Sequence, residues 1–205
     1  MIQVYGHART RSLRVCWALE EIGAEYRFID VDLPSGAARR EPFISLNPGG
    51  KVPVLLDGDL VLTESPAIVT YLGDQYAPGK LVPAVGTLLR ARYEQWSYFA
   101  VTELEQPLWT MAKHRFALPE ARRVPAMIDC AVWEFGRTLK ILEKGLQGPY
   151  ILGDAFSAAD ILLGHTLLWA QAFKLEMSSP TLLDYLQRLS LRPALARAMA
   201  REAAA

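Results

Sequence analysis

Along the first 80 residues the spacing of apolar positions changes several times; beyond them it hardly changes. The run "IQVY" (2 to 5) predicts a short strand. "SLRVCWALEEIG" (12 to 23) places Val15, Cys16, Leu19 and Ile22 at helical spacing and ends in Gly23, a helix stop. "YRFIDVD" (26 to 32) is β-rich, so the opening reads β-α-β, for which parallel strand pairing is the usual consequence. "VPVLL" (52 to 56) and "LVLT" (60 to 63) flank "DGD", a hairpin turn, and a helix is expected from Ser65 to about Ala77. This order predicts a small mixed sheet with helices packed on it. "APGKLVPAVG" (77 to 86) has linker composition. After it, residues 87–114, 120–145, 157–173 and 180–203 are rich in Leu, Ala, Arg and Glu and barely alternate, so they are expected to be helical. The expected division is a sheet domain over 1–78, a linker over 79–86 and an all-helical domain over 87–205.

Composition narrows the function. With 205 residues, 51% of them apolar and 21% charged, the chain can bury a substantial core. Lys plus Arg and Asp plus Glu both number 22, so no overall basic field exists to hold nucleic acid or an anionic membrane. A small ligand fits better. Cys16 and Cys130 form neither a CxxC nor a Cys/His metal spacing, so neither a disulfide framework nor a metal is expected and the cytoplasm is the default compartment. The opening "MIQVYGHARTR" lacks the apolar core of a signal peptide, and no run approaches the ~18 apolar residues of a membrane helix.

Candidate chemistry begins with a misplaced proline. Pro53 lies inside an apolar strand-like run, where proline removes a ladder N–H and belongs at an edge or a bulge. A trans proline opening the strand is the simpler reading of this run alone. A cis Val52-Pro53 bond would turn the chain sharply and leave the Val52 backbone open to an extended peptide ligand. In "TESPAI", Ser65 reads as an N-cap and Pro66 as the first helical residue, which fixes a helix N-terminus able to receive a carboxylate. Glu64 beside it can accept an ammonium. A ligand carrying both charges, an α-amino acid group, suits the pair. An ordinary capped helix with nothing bound fits the same residues.

"NPGGKVPVL", "LTESPAI", the "YL" at 71–72 and "GDAFSAADI", together with the opening "GHARTRSLRVCWALEEIG", resemble the cytosolic glutathione S-transferase superfamily, and in particular many bacterial members. The resemblance spans essentially the whole chain. It implies a thioredoxin-like α/β N-terminal domain followed by an all-α C-terminal domain, with glutathione bound mostly by the first. It further implies a cis Pro53, a Val52 backbone paired with the cysteinyl unit of glutathione, and a γ-glutamyl end held by Glu64 and Ser65. Lys51 could reach the glycyl carboxylate or remain a solvated loop lysine. Asn47 reads as a turn-stabilising residue. In "FSAADI", Ser157 and Asp160 read as a capping box flanked by Phe156 and Ile161, a structural motif.

Glutathione brings its own nucleophile, so the protein need only favour the thiolate. The donor is expected between the first strand and the first helix, where Tyr5, His7, Thr10 and Ser12 lie. In related serine-type transferases the activating hydroxyl precedes a helix arginine by four residues, and counting back from Arg14 selects Thr10, a threonine where serine is usual. The cysteine of cysteine-type relatives is replaced by Arg11. Ser12 reads as the cap of the first helix and Tyr5 as core, and these two are the alternative donors. His7 reads as a loop histidine. Arg9 and Arg11 add local positive charge. Cys16 and Cys130 read as packing residues. Phe99, Trp109, His114, Phe116, Trp169 and Phe173 could line an electrophile pocket between the domains, although at helical spacing such residues also make core.

The expected function is a detoxifying glutathione transferase, a homodimer acting on a small apolar electrophile. A non-catalytic interaction module of the same fold is the second reading. Peroxide reduction, dehalogenation or double-bond isomerisation on the same scaffold stay open.

Overall fold

The computed structural model describes residues 1–205. Its first elements follow the predicted order: β1 (Ile2–Gly6), α1 (Ser12–Ile22), β2 (Tyr26–Asp30), a short α2 (Phe43–Leu46), β3 (Val54–Asp57), β4 (Leu60–Thr63) and α3 (Ser65–Tyr76). The sheet runs β2-β1-β3-β4, with β1 parallel to β2 and antiparallel to β3, and β3 and β4 joined as a hairpin. The register sets Val4 opposite Phe28 on one side and Leu55 on the other. Gly23 ends α1 in the left-handed region at φ 73°, its N–H returning to the Leu19 carbonyl, as glycine does without a Cβ penalty.

The chain divides into two compact units, Met1–Val85 with Ser190–Ala205, and Gly86–Leu189. The last residues were expected in the helical domain; here they complete the sheet unit. The expected helix over 180–203 is two helices, α8 (Pro180–Ser190) and α9 (Pro193–Ala203). Pro193 lacks the N–H needed to continue α8 and suits the start of a new helix. α9 then packs on α1 and β2, and Arg192 pairs with Glu21 at 2.5 Å and Arg197 with Glu20 at 2.8 Å. With α3 and α9 both against it, α1 is buried over Ser12 to Leu19 rather than along one stripe.

The second unit holds α4 (Leu88–Phe99), α5 (Glu105–Ala112), α6 (Ala126–Gly145), α7 (Ala158–Ala172) and α8. The helix expected over 87–114 relaxes to π-helical winding at Ala100–Leu104 and again at Lys113–Ala117. The one expected over 120–145 begins at Ala126, after a 3-10 turn, because Pro125 interrupts it. α7 is buried continuously from Ala158 to Leu167. At its start the capping box is formed: Asp160 accepts the Ser157 backbone N–H at 2.8 Å and the Ser157 hydroxyl at 2.9 Å, and also the Ile151 N–H at 2.9 Å and the Tyr185 hydroxyl at 2.7 Å. Both cysteines are free. Cys16 is buried as expected, and burial pushes its thiol pKa up; Cys130, expected in the packing, is exposed on α6, whose start carries few buried residues.

Candidate functional site

The turn from β1 to α1 is held by small distances. A Cβ on Gly6 would come within 2.7 Å of both Phe28 and the Ser12 side chain, so only glycine lets α1 start this close to the strand. The His7 N–H donates to Ser12 Oγ at 3.3 Å, and the His7 ring meets Asp30 at 2.9 Å. Arg9 takes a positive φ of 62°, after which Thr10 Oγ1 donates to the His7 carbonyl at 2.7 Å and accepts the Ser12 N–H at 3.2 Å. Thr10 Oγ1 also lies 2.9 Å from Ser12 Oγ.

The capping role expected of Ser12 falls to Thr10. Ser12, expected as the helix cap, is the first residue of α1 and completely buried, while the N-cap position belongs to Arg11, which makes no side-chain cap bond. Thr10 receives the leading amide instead, the local side-chain-to-backbone bond that short hydroxyl residues favour in turns. Of the two hydroxyls only that of Thr10 is on a partly exposed residue. Tyr5 packs its ring against Phe43, with centroids 6.2 Å apart, in a small cluster that includes Val31 and Val54.

The second part of the site is the hairpin edge and the start of α3. The Val52-Pro53 bond is cis. The ladder begins at Val54, opposite Tyr5 and Thr63, so half-buried Val52 stands just outside it. Ser65, expected as N-cap, is the first helical residue and buried; the cap is Glu64, at φ 66° with an exposed side chain and no cap bond. That backbone turn sends the Ser65 hydroxyl inward, where it accepts from Arg14 Nη1 at 3.2 Å.

Arg14 is completely buried in α1. Its guanidinium thus lies beneath the N-terminus of α3, and the two positive sources favour an anion together. In the sequence Arg14 marks the spacing to Thr10 without announcing its own place under α3. The available signal was its position one turn past Thr10 inside a helix whose neighbours Leu13, Val15 and Trp17 are all apolar.

Lys51 is exposed, and its carbonyl accepts from Asn47 Nδ2 at 2.7 Å, while Asn47 Oδ1 accepts the Gly49 N–H at 2.9 Å, which gives Asn47 the turn-stabilising role expected of it. Within the second unit, Phe173 gathers Phe116 and Trp169 edge-on, at 6.4 and 5.6 Å, with Arg115 over its ring at 5.1 Å. Phe99 pairs with Trp96 instead, and His114 accepts the Val124 N–H at 3.1 Å.

The family model for the glutathione S-transferase N-terminal domain matches residues 1–74, and that for the C-terminal domain matches residues 131–201. Glutathione S-transferase 3 of Zea mays is 31% identical over 173 residues, 82% of this chain and 76% of the relative. A glutathione transferase from Methylococcus capsulatus superposes with a TM-score of 0.88 at 31% identity, covering 100% of both chains. A theta class glutathione S-transferase from Xanthomonas axonopodis pv. citri, solved with glutathione bound, gives 0.81 at 33% identity, covering 97% of this chain and 96% of that one. The chain belongs to the glutathione S-transferase family, with a thioredoxin-like N-terminal domain and a helical C-terminal domain.

Proposed function

We propose that this protein is a glutathione transferase that stabilises the glutathione thiolate through Thr10 and presents it to a small apolar electrophile. The observation carrying this reading is the half-buried Thr10 hydroxyl at the β1–α1 turn, hydrogen-bonded on both sides by its own loop. In the bound state its proton leaves the His7 carbonyl for the sulfur, while the Ser12 N–H continues to orient the oxygen. A free thiol near pKa ~8.5 requires about 2.7 kcal/mol of preference for its anion to titrate two units lower. One hydroxyl bond to a charged acceptor contributes ~1.5 to 3 kcal/mol and a helix N-terminus ~0.3 to 1 kcal/mol, so the two suffice. The thiolate then attacks the electrophilic carbon, a carbon–sulfur bond forms, and the leaving group departs with its electron pair.

Glutathione is held along the hairpin edge and the start of α3. The Val52 backbone pairs with the cysteinyl unit, Pro53 fixes that edge, and Glu64 takes the γ-glutamyl ammonium. Ser65 and the α3 N-terminus, with Arg14 beneath, take the γ-glutamyl carboxylate. Lys51 takes the glycyl carboxylate. The protein acts as a homodimer, which light scattering at micromolar concentration checks.

The deciding experiment compares the parent with Thr10→Ala on a glutathione-affinity matrix and in conjugation of an activated aryl halide. The variant is expected to stay bound, to raise the bound-thiol pKa by about one to two units and to conjugate about tenfold or more slowly near pH 6.5. Normal conjugation by Thr10→Ala would remove Thr10 from the mechanism. Retention of the parent without conjugation of any electrophile or reduction of any hydroperoxide would make the protein a binding module.

A further inference from the structure

The buried face of α9 consists of Ala194, Leu195, Ala198 and Glu202, so a carboxylate stands where the helical period calls for an apolar residue. Glu202 is 6% exposed. The backbone N–H of Arg9 donates to its carboxylate, while Oε1 is enclosed with no hydrogen-bond partner. Burying a carboxylate so incompletely satisfied is costly, and Arg9 itself holds a positive φ that non-glycine residues seldom adopt. The two costs meet at one hydrogen bond, one residue before Thr10.

We infer that Glu202 is a positioning residue for the β1–α1 turn: from α9 its carboxylate takes the Arg9 N–H and so holds Thr10 in the orientation that serves the glutathione thiol. The inference rests on the role of Thr10 proposed above. With the Arg9 amide turned inward, Thr10 Oγ1 is set to accept the Ser12 N–H and to donate to the His7 carbonyl. The rest of α9 is built to keep the carboxylate in place, since Arg192 and Arg197 tie the helix to Glu21 and Glu20 of α1, and Arg201 lies over the Tyr26 ring at 5.2 Å.

Burial pushes the Glu202 pKa up to about 7, against the pull of the Arg9 N–H. The groups around it leave that titration unobstructed. Cys16 on α1 and Tyr26 on β2 are held neutral by burial. Glu20 and Glu21 are paired with arginines, and Arg201 is the cation next to Glu202 in sequence. Above neutrality the carboxylate grips the turn with a charge-assisted bond; below it the bond weakens.

The full-length protein tests this with Glu202→Leu, which removes the acceptor, and Glu202→Gln, which keeps an acceptor oxygen without the charge. In the parent the Arg9 amide resonance is expected to move with pH through a midpoint near 7, and to stay flat in both variants. Glu202→Leu is expected to raise the bound-thiol pKa by about one unit and lower kcat about tenfold, with no loss in thermal midpoint, because a purely structural carboxylate replaced by leucine would leave the thiol alone. Glu202→Gln should shift the thiol by roughly half as much or less. If Thr10→Ala raises the thiol pKa and Glu202→Leu does not, the positioning role is wrong while the Thr10 reading stands. If neither variant shifts it, both fall. Should Glu202→Leu fail to fold, Glu202→Gln decides: an Arg9 amide that still titrates near 7 overturns the proposal, and a flat one supports it.

Discussion

Helices α3 and α7 both carry a serine and a carboxylate at their start, Glu64 just before Ser65 in one and Asp160 three residues after Ser157 in the other, yet the two starts do opposite things. At α7 the carboxylate of Asp160 folds back on Ser157, and its remaining capacity goes to Ile151 and Tyr185. The start is closed. At α3 the cap residue Glu64 points its side chain to solvent and makes no cap bond, Pro66 has no N–H at all, and the Ser65 hydroxyl is taken by Arg14 from below. What separates the two starts is therefore whether a carboxylate of the chain itself folds back onto the leading groups, as Asp160 does and Glu64 does not, with the serine common to both.

Removing the carboxylate at α7 is expected to have the largest effect. Asp160→Ala leaves the Tyr185 hydroxyl and two backbone N–H groups without their buried acceptor and should cost about 3 kcal/mol or more, read by chemical denaturation. An Asp160→Ala protein of parental stability would erase the contrast. At α3 the same kind of change is expected to act on glutathione binding. Ser65→Ala should weaken glutathione binding by about 1 to 3 kcal/mol in calorimetry, through loss of the hydroxyl that orients Arg14 and meets the carboxylate. Unchanged affinity would take Ser65 out of the site.

Burial raises the pKa of a carboxylate in each of the two units. Glu202 has a folded pKa of about 7, above its ordinary value, so between roughly pH 4.5 and 7 the folded state binds the extra proton and stability falls as pH rises. Replacing it with glutamine should flatten that slope by up to about 1.4 kcal/mol per pH unit, measured by denaturation across the window. Burial also raises the Asp160 pKa, but its hydrogen bonds oppose the shift. The smallest effect is expected from Ser157→Ala, about 1 kcal/mol of stability with glutathione affinity untouched.

The sheet unit was largely legible because its elements each carry a period and a stop: β1, the Gly23 terminus and the "DGD" hairpin were all readable in the sequence, whereas the cis Val52-Pro53 bond followed only from the family resemblance. Arg14 and Glu202 were not. A charged residue in an amphipathic helix reads as solvent-facing unless a second element is known to cover it, and both are covered by packing that local sequence does not encode: α3 over Arg14, and α9 turned onto α1. The "REAAA" end that carries Glu202 looks like low-complexity sequence. That Thr10 rather than Ser12 receives the leading amide of α1 was hidden for another reason, since it follows a positive φ at Arg9, which nothing in "ARTRS" announces. The π-helical stretches of the second unit likewise leave the apolar spacing almost unchanged.

That α9 belongs with the sheet has a consequence for the order in which the protein comes into being. Glu21 waits for Arg192, 171 positions later, and Glu20 for Arg197, 177 positions later. On the ribosome, at about 5 to 20 residues per second, β1 to α3 emerge early, then stand with the open side of α1 facing solvent while the entire helical unit is made. Newly made sheet therefore passes through an interval in which Cys16 lacks its final cover and the Arg9 turn lacks its carboxylate, and the nascent chain acquires a finished β1–α1 turn only when α9 arrives.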